Sequence, residues 1–144
     1  MADNKLDQLA RESIDAFNRS DWDAIRAMLG PGYVYEETGT GRRCEGVDET
    51  LAALQAWKSA IPDGRGEVLR VVVDGDTVVL ELVWRGTQTG PLAAGAGELP
   101  ASGRSFEALA VMWTQWSGDQ LVSERHHIDV LSMLAQLGAL PAPA

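Results

Sequence analysis

Two hairpins in the second half of the chain constrain its fold more than any other feature. Runs rich in β-branched residues, Val68 to Val73 and Thr77 to Trp84, flank Asp74-Gly75-Asp76, a turn that closes two antiparallel strands. Phe106 to Trp116 and Gln120 to Ile128 repeat the arrangement about Ser117-Gly118-Asp119. Strands with an apolar face must bury it, and the first half of the chain supplies the cover. Leu6, Leu9, Ala10, Ser13, Ile14 and Phe17 recur at helical spacing and predict a helix over about residues 4–18. A shorter helix carries Trp22, Ile25, Met28 and Leu29, with Ser20 or Asp21 as its cap and Gly30-Pro31-Gly32 as its stop. A third, Val47 to Ala60, puts Leu51, Leu54, Trp57 and Ile61 on one side.

Between the elements, Tyr33 to Glu37 reads as a short strand and Pro91 to Gly103 as a long loop. Val130 to Gly138 reads as a final helix with Leu131, Leu134 and Leu137, followed by a disordered tail over about 139–144. Helices first and antiparallel strands afterwards mean α+β. The expected architecture is one domain, residues 1–144, in which a strongly curved, mostly antiparallel sheet wraps N-terminal helices in a conical, barrel-like fold. A bent sheet around a helix leaves a blind pocket between them.

Charge and composition narrow the function. A net charge of −9 without a basic stripe argues against nucleic acid. No apolar run is long enough for a membrane span, and the N-terminal residues lack the apolar core of a secretory signal, so a cytoplasmic location is expected. The single cysteine, Cys44, rules out an internal disulfide and a multi-cysteine metal site. Its neighbours Arg42 and Arg43 make a lowered thiol pKa conceivable, against the commoner reading of an inert, partly buried thiol. Asp129 stands at the very end of the strand read over Gln120 to Ile128, where a carboxylate facing the inside of a small domain is costly unless it has a use or a partner.

Several segments together bring a family into view: Tyr35 to Arg42, Trp57 to Asp63, Gly86 to Leu92, Ser102 to Arg104, and Asp129 followed by Met133 to Gly138. In their order and spacing the chain resembles the SnoaL-like polyketide cyclases, within the nuclear-transport-factor-like superfamily of conical α+β folds. The resemblance implies intramolecular aldol closure of a polyketide ester, without metal or organic cofactor, on a bulky, apolar, carbonyl-bearing small molecule. It implies that the strand-end aspartate, here Asp129, is the general acid/base. Where the family usually has histidine this chain has Gln88, and where it is usually aromatic this chain has His127.

Each candidate has two readings. Asp129 takes a proton next to a carbonyl, or it caps the last helix by accepting from the backbone N–H groups of residues 130–132. Strict alternation puts His127 and Arg125 on the face of Asp129 and turns His126 the other way. His127 is then a partner acid or a polar wall. Arg125 beside Asp129 keeps epoxide opening in play as an alternative to ring closure; isomerisation of a double bond and dehydration in the same pocket are further alternatives. Gln88, in phase with Val78, Leu80, Leu82 and Trp84, either orients a substrate carbonyl or tethers the following loop. Tyr35 is the pocket candidate of its strand, Glu36 and Glu37 reading as solvated or paired with Arg42 or Arg43. Trp57 stands near the expected mouth as either a ligand wall or core. A non-catalytic ligand-binding module is the alternative from another class, and a broad outer sheet face is compatible with a homodimer.

Overall fold

A computed structural model describes residues 2–94 and 97–140; the expected tail lies largely outside them. Helix α1 (Ala2–Asn18) and α2 (Trp22–Met28) lead into strand β1 (Leu29–Glu37) and β2 (Arg42–Glu45), and α3 (Val47–Ala60) follows. The second half holds β3 (Arg65–Asp74), β4 (Thr77–Thr87), β5 (Leu92–Ala94), β6 (Gly97–Leu99), β7 (Ser105–Ser117), β8 (Gln120–Ile128) and α4 (Val130–Gln136). Six strands form one sheet in the order β2-β1-β8-β7-β4-β3, antiparallel except where β1 runs parallel to β8. This is the expected α+β architecture, a curved sheet with helices on its concave face.

Local chemistry explains the boundaries. Asp21 caps α2 by accepting from the Ala24 N–H at 3.0 Å. Gly75 and Gly118 take positive φ (59° each) in the two-residue loops that close β3–β4 and β7–β8, a conformation that costs glycine little. Two expectations change. The stretch from Pro91 to Gly103 is not loop throughout, since Leu92–Ala94 and Gly97–Leu99 pair as a separate antiparallel hairpin. Gly30-Pro31-Gly32 ends α2 yet lies inside β1, where Pro31 is exposed and the pairing with β8 shifts register between Leu29 and Val34.

The core fills the hollow between helices and sheet. Leu6, Ala10 and Ile14 of α1 pack with Val78, Leu80 and Leu82 of β4 and Ala110, Met112 and Trp116 of β7. Each buried side chain of this size stabilises the fold by roughly 1.5–3 kcal/mol. The opposite, convex face of the sheet stays open, with Leu109 59% and Trp113 50% exposed.

Candidate active site

Between α1, α2, α3 and the sheet lies a cavity lined mainly by apolar side chains, among them Ile14, Phe17, Leu54, Ile61, Phe106 and Met133. The space inside it is about 90 Å³, within a concavity of about 910 Å³ when the open mouth is counted. Its polar wall comes from β1 and β8, which deliver Tyr33, Tyr35, Glu124 and His126, with Trp84 from β4 and Trp57 from α3.

Most of these groups belong to one hydrogen-bonded chain. Trp84 Nε1–H donates to His126 Nε2 at 3.0 Å. An indole only donates, so Nε2 carries the lone pair and the neutral imidazole holds its proton on Nδ1. That proton faces the Tyr35 hydroxyl at 3.1 Å, and Tyr35 donates its own to Glu37 Oε2 at 2.7 Å. Glu37 also accepts from Trp57 Nε1 at 2.6 Å and, on Oε1, from Thr40 Oγ1 at 2.8 Å, while Arg42 Nε stands 3.7 Å from Oε1. Burial holds His126 down at about 4, against the upward pull of Glu37, so the imidazole is neutral at pH 7. Tyr35 is raised well above the ordinary phenol value by burial first and by Glu37 second.

Glu124 stands apart from this chain. Burial, with the neighbouring Glu37 as a lesser cause, pushes its carboxyl up to about 8.

The candidate residues therefore divide. Tyr35 and Trp57 line the cavity, and both are hydrogen-bonded to Glu37. Gln88 is buried, but its amide donates to the carbonyls of Gly90 (3.2 Å), Leu99 (3.3 Å) and Pro100 (3.2 Å), which is the loop-tethering role. Asp129 does not enter the cavity. It is exposed and caps α4, accepting from the Ser132 N–H at 3.0 Å. His127 and Arg125 are exposed as well; His127 Nδ1 meets Thr38 Oγ1 at 3.0 Å, and Arg125 lies 4.0 Å from Glu36. His126 and Glu124 take the inward positions instead. Glu37, read from sequence as solvated or paired, is 3% exposed and is the anchor of the network. Burial raises the Cys44 thiol, so that side chain is a packed one.

The inversion on β8 has a local cause. Leu121 is buried opposite Trp116, and strict alternation from it would aim Ser123, Arg125, His127 and Asp129 inward. The pairing shifts register between Gln115 and Trp116, so Glu124 opposes Thr114 and His126 opposes Met112. On β7 both partners face the core, and the shift turns every following side chain of β8 over. A capping role for Asp129 has a measurable size: Asp129→Ala should cost about 1 kcal/mol of stability. Its urea midpoint should fall accordingly while Asp129→Asn stays close to the parent, and an unchanged midpoint for the alanine variant would remove the cap.

Similar proteins place the chain. No curated protein sequence matches it. In fold it is similar to a candidate SnoaL-like polyketide cyclase from Jannaschia sp. CCS1, with TM-score 0.85, 21% identity, and coverage of 96% of this chain and 95% of that one. It is similar to TsrD from Streptomyces laurentii, with TM-score 0.81, 26% identity, and coverage of 95% and 97%. It is also similar to IdmH, a candidate polyketide cyclase from Streptomyces antibioticus, with TM-score 0.77, 26% identity, and coverage of 92% and 97%. The sequence model of the SnoaL-like polyketide cyclases matches residues 7–137, nearly the whole chain, with the cavity walls inside that span. The protein belongs to the SnoaL-like polyketide cyclase family.

Proposed function

We propose that the protein closes a ring in a polyketide ester by an intramolecular aldol step that needs no cofactor. The observation that carries this reading is an apolar blind cavity whose polar groups converge on one wall, where Glu124, His126 and Tyr35 stand together. Such a site takes up an organic chain by its greasy surface and leaves one place for a carbonyl group. Family membership supports the same chemistry. Asp129 plays no part in it, because its carboxylate caps α4 through the Ser132 N–H and faces solvent. Epoxide opening by an Asp129–Arg125 pair loses its basis for the same reason, since both residues lie outside the cavity.

Size limits the substrate. A dry cavity of roughly 150 Å³ holds one benzene, and about 90 Å³ is less than that. A finished polycycle does not fit inside. The reactive end of a flexible poly-carbonyl chain does, with any aromatic portion left in the open mouth of the wider concavity.

The test is incubation with an aryl methyl ester bearing a poly-β-ketone chain, followed by chromatography and mass spectrometry. The expected product is a ring-closed isomer of unchanged mass, formed equally well by Asp129→Asn. A chain recovered unreacted, or consumed no faster than in buffer, would overturn the reading.

A further inference from the structure

Every polar group lining the cavity has its hydrogen-bonding accounted for within the protein, with two exceptions. The Ser13 hydroxyl donates to Ala10 O at 2.6 Å, and the Thr50 hydroxyl to Gly46 O at 2.8 Å. Trp57 and Trp84 have one N–H each, and both are used. His126 has both nitrogens engaged, and the Tyr35 hydroxyl donates to Glu37. Glu124 and Tyr33 are the exceptions: among the described residues neither side chain has a hydrogen-bond partner, and both line the cavity. Thr114, opposite Glu124 in the sheet, donates to Val78 O at 2.7 Å and accepts from Trp116 Nε1 at 2.9 Å, so it offers nothing.

An unpartnered carboxyl in an apolar cavity costs a fold several kcal/mol unless it protonates or finds a guest. We propose that Glu124 is the catalytic residue that exchanges the proton with the substrate, a role resting on the ring-closure reading above. As carboxylate it removes a hydrogen from the carbon between two carbonyls, leaving an enolate and a protonated Glu124. The enolate carbon then forms the new C–C bond to a second carbonyl carbon, whose π electrons move onto oxygen. Glu124 returns its proton to that alkoxide, so no proton is gained or lost overall. Tyr33, held as a neutral phenol because burial raises it well above its ordinary value, can donate a hydrogen bond to the same oxygen but cannot take the proton.

The titrating and charged neighbours are few. From β1 they are Tyr33, Tyr35 and Glu37, and from β8 itself His126; β4 adds Arg85, which is paired with Glu67 and Glu107; β7 contributes Thr114 and Met112, and the helices line the cavity with apolar side chains, the Trp57 N–H held by Glu37 and the two committed hydroxyls. The charge of Glu37 opposes ionisation of Glu124. A base that ionises with a midpoint of about 8 is stronger than an ordinary carboxylate and is still ionised in roughly one molecule in ten at pH 7.

The experiment pairs kinetics with a direct view of the carboxyl. Glu124→Gln keeps the shape and should lower kcat about 10²–10⁴-fold with little change in KM. The alkaline rise in rate, with its midpoint near 8, should vanish in this variant and persist in Glu124→Asp. A glutamine variant that keeps the parent kcat and pH profile overturns the proposal while leaving ring closure intact. Carbon-13 NMR of the labelled side-chain carboxyls serves where no turnover is found. There the probe is benzoylacetone, a β-diketone that enolises readily, and it should displace the Glu124 resonance and its titration midpoint. A resonance indifferent to saturating benzoylacetone also overturns the proposal; a displaced one without ring closure supports Glu124 and sinks the cyclase reading alone.

Discussion

Glu37→Ala should destabilise the protein by about 3–5 kcal/mol, the range for removing one partner from a buried charged network. Glu37 accepts hydrogen bonds from Tyr35, Trp57 and Thr40 and stands beside Arg42, all with the carboxylate 3% exposed. Truncation leaves those donors facing apolar space, where each costs roughly 1–3 kcal/mol. Against a typical total of about 5–15 kcal/mol the loss is large. Glu37→Gln restores one acceptor oxygen and should recover part of it. Urea unfolding with an unchanged slope is the measurement. A loss below about 1 kcal/mol for the alanine variant would mean that the chain from Trp84 to Glu37 does not hold the cavity wall in place.

The second expected result is an asymmetric dependence of stability on pH. His126 binds its proton with a midpoint of about 4 in the fold and about 6.5 when unfolded. Between those values the unfolded chain holds the extra proton, so His126 makes stability rise with pH. Glu124 works in the other direction. Its midpoint is about 8 folded and about 4.3 unfolded, so in that window the native state holds the extra proton and stability falls as pH rises. Each slope is at most about 1.36 kcal/mol per pH unit, and the two nearly cancel between about pH 4.5 and 6.5. Above that Glu124 dominates, and stability should drop by about 1.3 kcal/mol between pH 6.5 and 8. Chemical denaturation at half-unit pH steps measures this, and Glu124→Gln should abolish the alkaline drop. A parent protein equally stable at pH 6.5 and 8 would show that Glu124 is not enclosed as described.

These two residues show where sequence reading reaches and where it stops. The four helices, the two long hairpins and the α+β class were legible because each depends on spacing along the chain or on turn chemistry at Gly75 and Gly118. The small strands β2, β5 and β6 were not. They run three or four residues, too short for a period to declare itself. Tyr35 and Trp57 were placed at the pocket because β1 and α3 keep their periods over the relevant stretch. The apolar residues of β8 do not settle its parity, since Leu121 is buried and Val122 is exposed. With no consistent stripe to read, Asp129 was the natural anchor, and it pointed to the wrong face.

What the amino acids determined unaided was the inventory: helices that cover, strands that curve, an apolar space between them, and a histidine and carboxyls near one strand end. Which of those side chains entered the space was decided by one register shift between β7 and β8, beside the parallel contact of β8 with β1. Alternation has a period of two, so a single displaced residue exchanges inside for outside along the rest of the strand. Pairing with β7 across the hairpin sets that displacement, and no stretch of β8 taken alone contains it.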